Sequence, residues 1–97
     1  MGARVSIQTA DFNLATEIEA LRAGDKRVGA VCSFIGTVRD RNDGNAVSSM
    51  ELEHYPGMTE KAIEAMIDEA QRRLDILGAR VIHRVGLLQP LDQIMMV

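Results

Sequence analysis

Polar and apolar residues alternate along Arg4-Val5-Ser6-Ile7-Gln8, the two-residue period of a half-buried strand. Leu14, Ile18 and Leu21 then recur at spacings of four and three, which predicts a short amphipathic helix. Asn13 suits its N-cap, and Gly24 can supply the left-handed residue that ends it. Val28–Val38 is a long apolar stretch and predicts a strand. Its eleven residues at about 3.3 Å each would span roughly 36 Å, so Gly29 or Gly36 is expected to mark a bulge or bend. The polar run from Arg39 to Asn45 follows, with Asp43-Gly44 as its turn signal, and then Met50-Glu51-Leu52-Glu53-His54 alternates. The two strands are expected to form a long hairpin.

Pro56-Gly57 stops that second strand, and Thr59 is placed to cap the next helix. Ile63, Met66, Ile67, Ala70 and Leu74 carry its apolar face. Glu60 near its start and Arg72 and Arg73 near its end complement the helix dipole, and Asp68–Arg72 and Glu69–Arg73 form i,i+4 pairs. Gly78 is expected to end it. Strands are predicted over Arg80–Val85 and Gln93–Val97, with a turn around Leu88-Gln89-Pro90-Leu91-Asp92. The order β-α-β-β-α-β-β predicts one α+β domain over residues 1–97, with a mostly antiparallel sheet. Its last residues, Ile94-Met95-Met96-Val97, are apolar and lack a polar terminator, so the end is expected to be a cut within a longer domain.

Composition narrows the function classes. The 97 residues carry 11 Lys+Arg against 14 Asp+Glu, a net charge of −3, which disfavours a phosphate-neutralising nucleic-acid face. Phe12, Phe34 and Tyr55 are the only aromatic residues, so stacking platforms for bases are scarce. One cysteine, Cys32, excludes an intrachain disulfide framework. With no apolar run near membrane-spanning length and no leader-like N-terminus, a cytoplasmic setting is expected.

Candidate chemistry is sparse. Cys32 sits in an apolar stretch and reads as an inert buried thiol. His54 and His83 lie far apart in sequence, and Glu51 and Glu53 share a strand face opposite His54, so no metal-ligand spacing emerges. Gly36-Thr37-Val38-Arg39 lacks the glycine spacing of a phosphate loop. That strand end still offers a close-approach glycine and a guanidinium fork suited to a carboxylate or phosphate. The plainer alternative is a solvated loop whose arginines pair with Asp40 and Asp43. His83-Arg84 reads as structural.

Four segments in order resemble the MoaE family, the large subunit of molybdopterin synthase. They are Phe34-x-Gly36-x-Val38-Arg39, Asn42-x-Gly44, Leu52-Glu53-His54-Tyr55-Pro56-Gly57-Met58-Thr59 and His83-Arg84-Val85-Gly86. The resemblance implies an α/β hammerhead fold with an added antiparallel subdomain. It implies sulfur transfer to cyclic pyranopterin monophosphate (precursor Z), forming molybdopterin, with no metal or organic cofactor. The donor would be a C-terminal Gly-Gly thiocarboxylate on a small ubiquitin-like subunit of the MoaD family. Two large subunits would form a central dimer with a small subunit at each end, a heterotetramer.

Carried onto this sequence, Thr37, Val38 and Arg39 match the substrate-contacting strand end, and Phe34 matches an aromatic lining the pocket. His54 and Tyr55 stay structural, in a strand-to-helix turn. The family's catalytic lysines lie beyond Val97, and Lys26 and Lys61 match neither. The 97 residues alone are therefore expected to be inactive, and a truncated homologue serving dimerisation or partner binding is one alternative. A ferredoxin-like ligand-sensing module, which shares the β-α-β-β-α-β order, is another.

Overall fold

The computed structural model of the chain describes residues 4–42, 45–46, 49–53 and 56–97. In chain order the elements are β1 (Val5–Gln8), α1 (Leu14–Arg22), β2 (Ile35–Thr37), β3 (Arg41–Asn42), β4 (Asn45–Ala46) and β5 (Met50–Leu52). They continue with α2 (Met58–Arg73), β6 (Val81–Arg84), β7 (Gly86–Leu88) and β8 (Gln93–Met96). The architecture is α+β, as the periodicities imply. A four-stranded sheet in the order β1-β6-β8-β2 forms its centre, parallel between β1 and β6 and antiparallel elsewhere. Short two-stranded ladders join β3 to β4 and β5 to β7.

Val5 and Val81 oppose each other in register and turn toward Ile67 of α2, with Ile7, Ile63 and Ala79 packed around them. Ile82, the next residue on β6, has no exposed surface and pairs with Met96, which is also buried. Both faces of the sheet therefore carry apolar contacts, as the alternation of a strand requires. Arg4 ties the start of β1 to α2 by bonding Gln71 at 3.3 Å, Asp68 at 3.0 Å and Glu64.

Local signals at α1 match the structure. The Asn13 side chain accepts the Thr16 amide at 3.0 Å, and Gly24 follows the helix with φ +75°. At α2 three expectations change. Gly57 is the N-cap and Thr59 lies inside the first turn, while Glu60 reaches back to accept the Gly57 amide at 3.2 Å. The helix ends at Arg73 because Leu74 is extended, at φ −132° and ψ 154°, several residues before Gly78. The expected Glu69–Arg73 pair forms, but Asp68 pairs with Arg4 and Arg72 goes to Glu69 instead.

Strand partners also change. The long hairpin is not formed: β2 pairs with β8, and β5 pairs with β7. The predicted eleven-residue strand contracts to Ile35–Thr37, extended by one backbone pair at Phe34. Residues 29–33 have no neighbouring strand among the described residues, and a ladder needs two sides. Cys32 is accordingly exposed rather than buried. The Asp43-Gly44 turn and the His54-Tyr55 pair lie outside the described residues.

Candidate functional site

The strand end chosen from sequence is shaped by a register shift. Gly36 opposes Met95, but Thr37 opposes Gln93, so Ile94 is an extra residue on β8. Such a bulge re-aims the side chains that follow it. Gly36 is fitted to this place, since a Cβ there would lie 3.3 Å from the Met95 Cγ. After the bulge, Thr37 and Arg39 are exposed, whereas Val38 between them is 2% exposed.

Val38 anchors the segment. Its amide donates to the Asp92 carbonyl and its carbonyl accepts the Leu91 amide, both at 2.9 Å. With both backbone groups paired and its side chain buried, Val38 holds its neighbours in place. Phe34 lies on the far side of the bulge, 63% exposed, with its backbone paired to Val97. The structure therefore brings Thr37 and Arg39 together on one exposed turn and leaves Phe34 apart from them.

Sequence reasoning missed the bracing beneath this turn. The Arg84 guanidinium, with its side chain 13% exposed, donates twice to the Thr9 carbonyl, each at 3.1 Å, and once to the Gln93 carbonyl at 3.0 Å. The Gln93 side-chain amide in turn donates to Asp11 Oδ1 and the Phe12 carbonyl, both at 2.8 Å. That bond from Gln93, with the Phe12 amide, holds the Asp11 carboxyl below its ordinary range. Thr37's partner residue is thus clamped to the loop before α1. The alternation that places Arg84 on one strand face was the available signal, but it does not name carbonyls distant in sequence.

His83 lies with Nδ1 2.8 Å from the Arg84 carbonyl, so Nδ1 carries the proton it donates there. Among the described residues no cluster of three or more His, Cys, Asp or Glu is placed to hold a metal ion. Among the same residues no helix is long and apolar enough to cross a membrane. A cleft of about 550 Å³ lies toward the other end of β2, between α1 and the connector after α2. Arg80 and Glu17 form an ion pair at 3.2 Å beside it.

Comparison with known proteins places these features in context. The profile of the MoaE protein family matches residues 7–97. A molybdopterin synthase catalytic subunit from Ralstonia nicotianae is 62% identical over 93 residues, covering 96% of this chain and 53% of the relative. One from Vibrio cholerae is 50% identical over 97 residues, covering 100% of this chain and 64% of the relative. Among solved structures, molybdopterin cofactor biosynthesis protein E from Burkholderia multivorans superposes with a TM-score of 0.85 at 52% identity, covering 97% of this chain and 60% of that one. Molybdopterin synthase from Staphylococcus aureus gives a TM-score of 0.86 at 25% identity, covering 99% and 69%. The chain thus spans from about half to two-thirds of the length of these proteins. These matches do not favour the ligand-sensing alternative.

Proposed function

The chain belongs to the MoaE family, and from that premise we propose that it supplies the substrate-anchoring part of a molybdopterin synthase large subunit. The family match across residues 7–97 carries this reading. In the proposed reaction, sulfur passes from the thiocarboxylate at the Gly-Gly end of a small ubiquitin-like subunit to cyclic pyranopterin monophosphate. Two such transfers make the dithiolene of molybdopterin. The working assembly is a dimer of large subunits with one small subunit at each end, in the cytoplasm.

Both reactants are anions, and the exposed turn of Thr37 and Arg39 is suited to hold one. A guanidinium makes charge-assisted hydrogen bonds to phosphate or carboxylate through a planar fork, and the Thr37 hydroxyl adds a donor. Val38 contributes by fixing the turn against Leu91 and Asp92. Phe34, just before β2, would add an apolar contact. The only lysines are Lys26, in the turn after α1, and Lys61, on the exposed side of α2. Neither stands beside Thr37 and Arg39 in sequence or on their strand. The transfer chemistry is accordingly assigned to residues outside these 97.

Two measurements test the proposal. Equilibrium binding of cyclic pyranopterin monophosphate or of the thiocarboxylated partner should weaken about 10- to 100-fold on Arg39→Gln, the loss of about one charge-assisted bond. The unsubstituted 97-residue chain, mixed with both reactants, should form no molybdopterin. Unchanged affinity overturns the role of Arg39, and turnover by the 97 residues overturns the assignment of the chemistry to absent lysines.

A further inference from the structure

The two ends of the β8 bulge are held by different means. At one end Met95 is set in the ladder from both sides, opposite Gly36 of β2 and His83 of β6. At the other end Gln93 stands opposite Thr37, with Ile94 as the extra residue between. The register of β6 with β8 runs no further than His83 and Met95, and beyond it the side chain of the next residue, Arg84, reaches β8. Arg84 lies opposite Gln8 of β1. From there its guanidinium donates to the Thr9 carbonyl through Nε and Nη2 and to the Gln93 carbonyl through Nη1. The Gln93 side-chain amide donates on to Asp11 and Phe12, so Gln93 is held at both its carbonyl and its side chain.

Directly before Gln93, the Asp92 carbonyl accepts the Val38 amide at 2.9 Å, and Val38 stands between Thr37 and Arg39. A chain of bonded residues thus runs from Arg84 through Gln93 and Asp92 to the exposed turn. The competing arrangement is a ladder without the bulge. It would set Thr37 opposite Ile94 and move the turn by one residue, about 3.3 Å, along β8. The pairing of Gly36 with Met95 is the same in both registers and cannot choose between them. The hold on Gln93 can, because it ties the residue that faces Thr37 to β6 and to the loop after β1.

We propose that Arg84 is a positioning residue for the turn of Thr37 and Arg39: its grip on Gln93 sets the register after the bulge, and with it the place where those two side chains meet an anionic substrate. The inference rests on reading that turn as the anion-holding site. A guanidinium suits the task, because its planar fork reaches two carbonyls at once and stays charged. Charge-assisted hydrogen bonds are directional, so a turn displaced by a fraction of one residue already loses affinity.

Two readouts separate positioning from plain stabilisation. The first is amide hydrogen exchange by NMR, comparing Val38, bonded to Asp92, with Val81, bonded to the Arg4 carbonyl away from the bulge. A global loss of stability speeds both alike, whereas release of the turn speeds Val38 alone. Arg84→Met should raise the ratio of Val38 to Val81 exchange about tenfold. The second readout is equilibrium binding of cyclic pyranopterin monophosphate under conditions where every variant is folded. Affinity should fall about five- to tenfold in Arg84→Met, and Arg84→Lys should recover part of both effects. Should the methionine variant not fold, the lysine variant carries the test, with smaller changes in the same direction. An unchanged exchange ratio overturns the inference, and so does unchanged affinity in the Arg84 variants while Arg39→Gln binds weakly. If Arg39→Gln binds as tightly as the unsubstituted chain, the anion-holding reading itself fails and takes the inference with it.

Discussion

The Val38 amide donates to the Asp92 carbonyl at 2.9 Å, so the turn that carries Arg39 is held by the turn that joins β7 to β8. That second turn runs from Gln89 to Asp92, closed by the Asp92 amide on the Gln89 carbonyl at 3.0 Å. The Asp92 carboxylate accepts the Gln89 amide at 2.9 Å. Pro90 and then Leu91, at φ +81°, are the central residues of a type II turn.

A type II turn favours glycine where Leu91 stands, and the leucine side chain is 90% exposed with no packing to offset the strain. A left-handed conformation costs an L-residue about 1–2 kcal/mol, of which glycine's greater unfolded-state freedom returns about 0.5–1. Leu91→Gly is therefore expected to stabilise the fold by about 0.5–1 kcal/mol. Urea denaturation measures this, and a loss of stability would show that Leu91 has a contact that holds the turn.

Arg84 carries three hydrogen bonds to backbone carbonyls from a side chain 13% exposed. Arg84→Met keeps the apolar stem but strips partners from Thr9 and Gln93, which is expected to cost about 2–3 kcal/mol. Arg84→Lys should recover only part, since an ammonium cannot reproduce a fork that reaches two carbonyls at once. Denaturation of the pair gives the ranking, and equal stability of Lys and Arg variants would refute the fork argument.

Ile82 has no exposed surface and lies at the centre of the four-stranded sheet. Ile82→Val should cost about 0.5–1.5 kcal/mol and Ile82→Ala about 2–5, because the rigid strands on either side cannot close the cavity. Thermal melts with calorimetry check both. A cost for Ile82→Ala below that of Ile82→Val would mean the site relaxes freely.

Asp25 tests the acid side of the pH profile. The Arg27 side chain and amide hold its carboxyl down to about 2. A carboxyl lowered in the folded state stabilises it above the unfolded value near 4, and that contribution is lost as pH falls toward about 2. NMR titration of Asp25 should show this midpoint, and Arg27→Gln should raise it toward 4. Because the pair is on the surface, high salt should move it in the same direction. A midpoint unmoved by Arg27→Gln would leave the lowering to another group.

Much of the local structure was legible in the residues. Asn13 and Gly24 bracket α1 because capping uses groups within a few positions of each other. Gly36 was a sound marker for the bulge, which lies between it and Thr37, and a Cβ there would crowd the Met95 side chain at 3.3 Å. Partner choice was not legible. Two alternating segments joined by a polar run look like a hairpin, yet β2 found β8 and β5 found β7, because a period of two states which faces are apolar and not which strand lies alongside. The Glu69–Arg73 pair was legible, but the turn of Arg72 to Glu69 was hidden for a related reason: Arg4, distant in sequence, had claimed Asp68.

By itself the sequence determined the family, the α+β class, the boundaries of α1 near its caps, and the placing of a threonine and an arginine two residues apart at a strand end. Those follow from motifs and from interactions that reach only a few residues. Tertiary structure alone decided that Val38 is the buried anchor between them, that Arg84 braces the strand behind, and that residues 29–33 pair with no strand among the described residues. Burial and backbone pairing depend on what distant segments bring alongside, which no local pattern encodes.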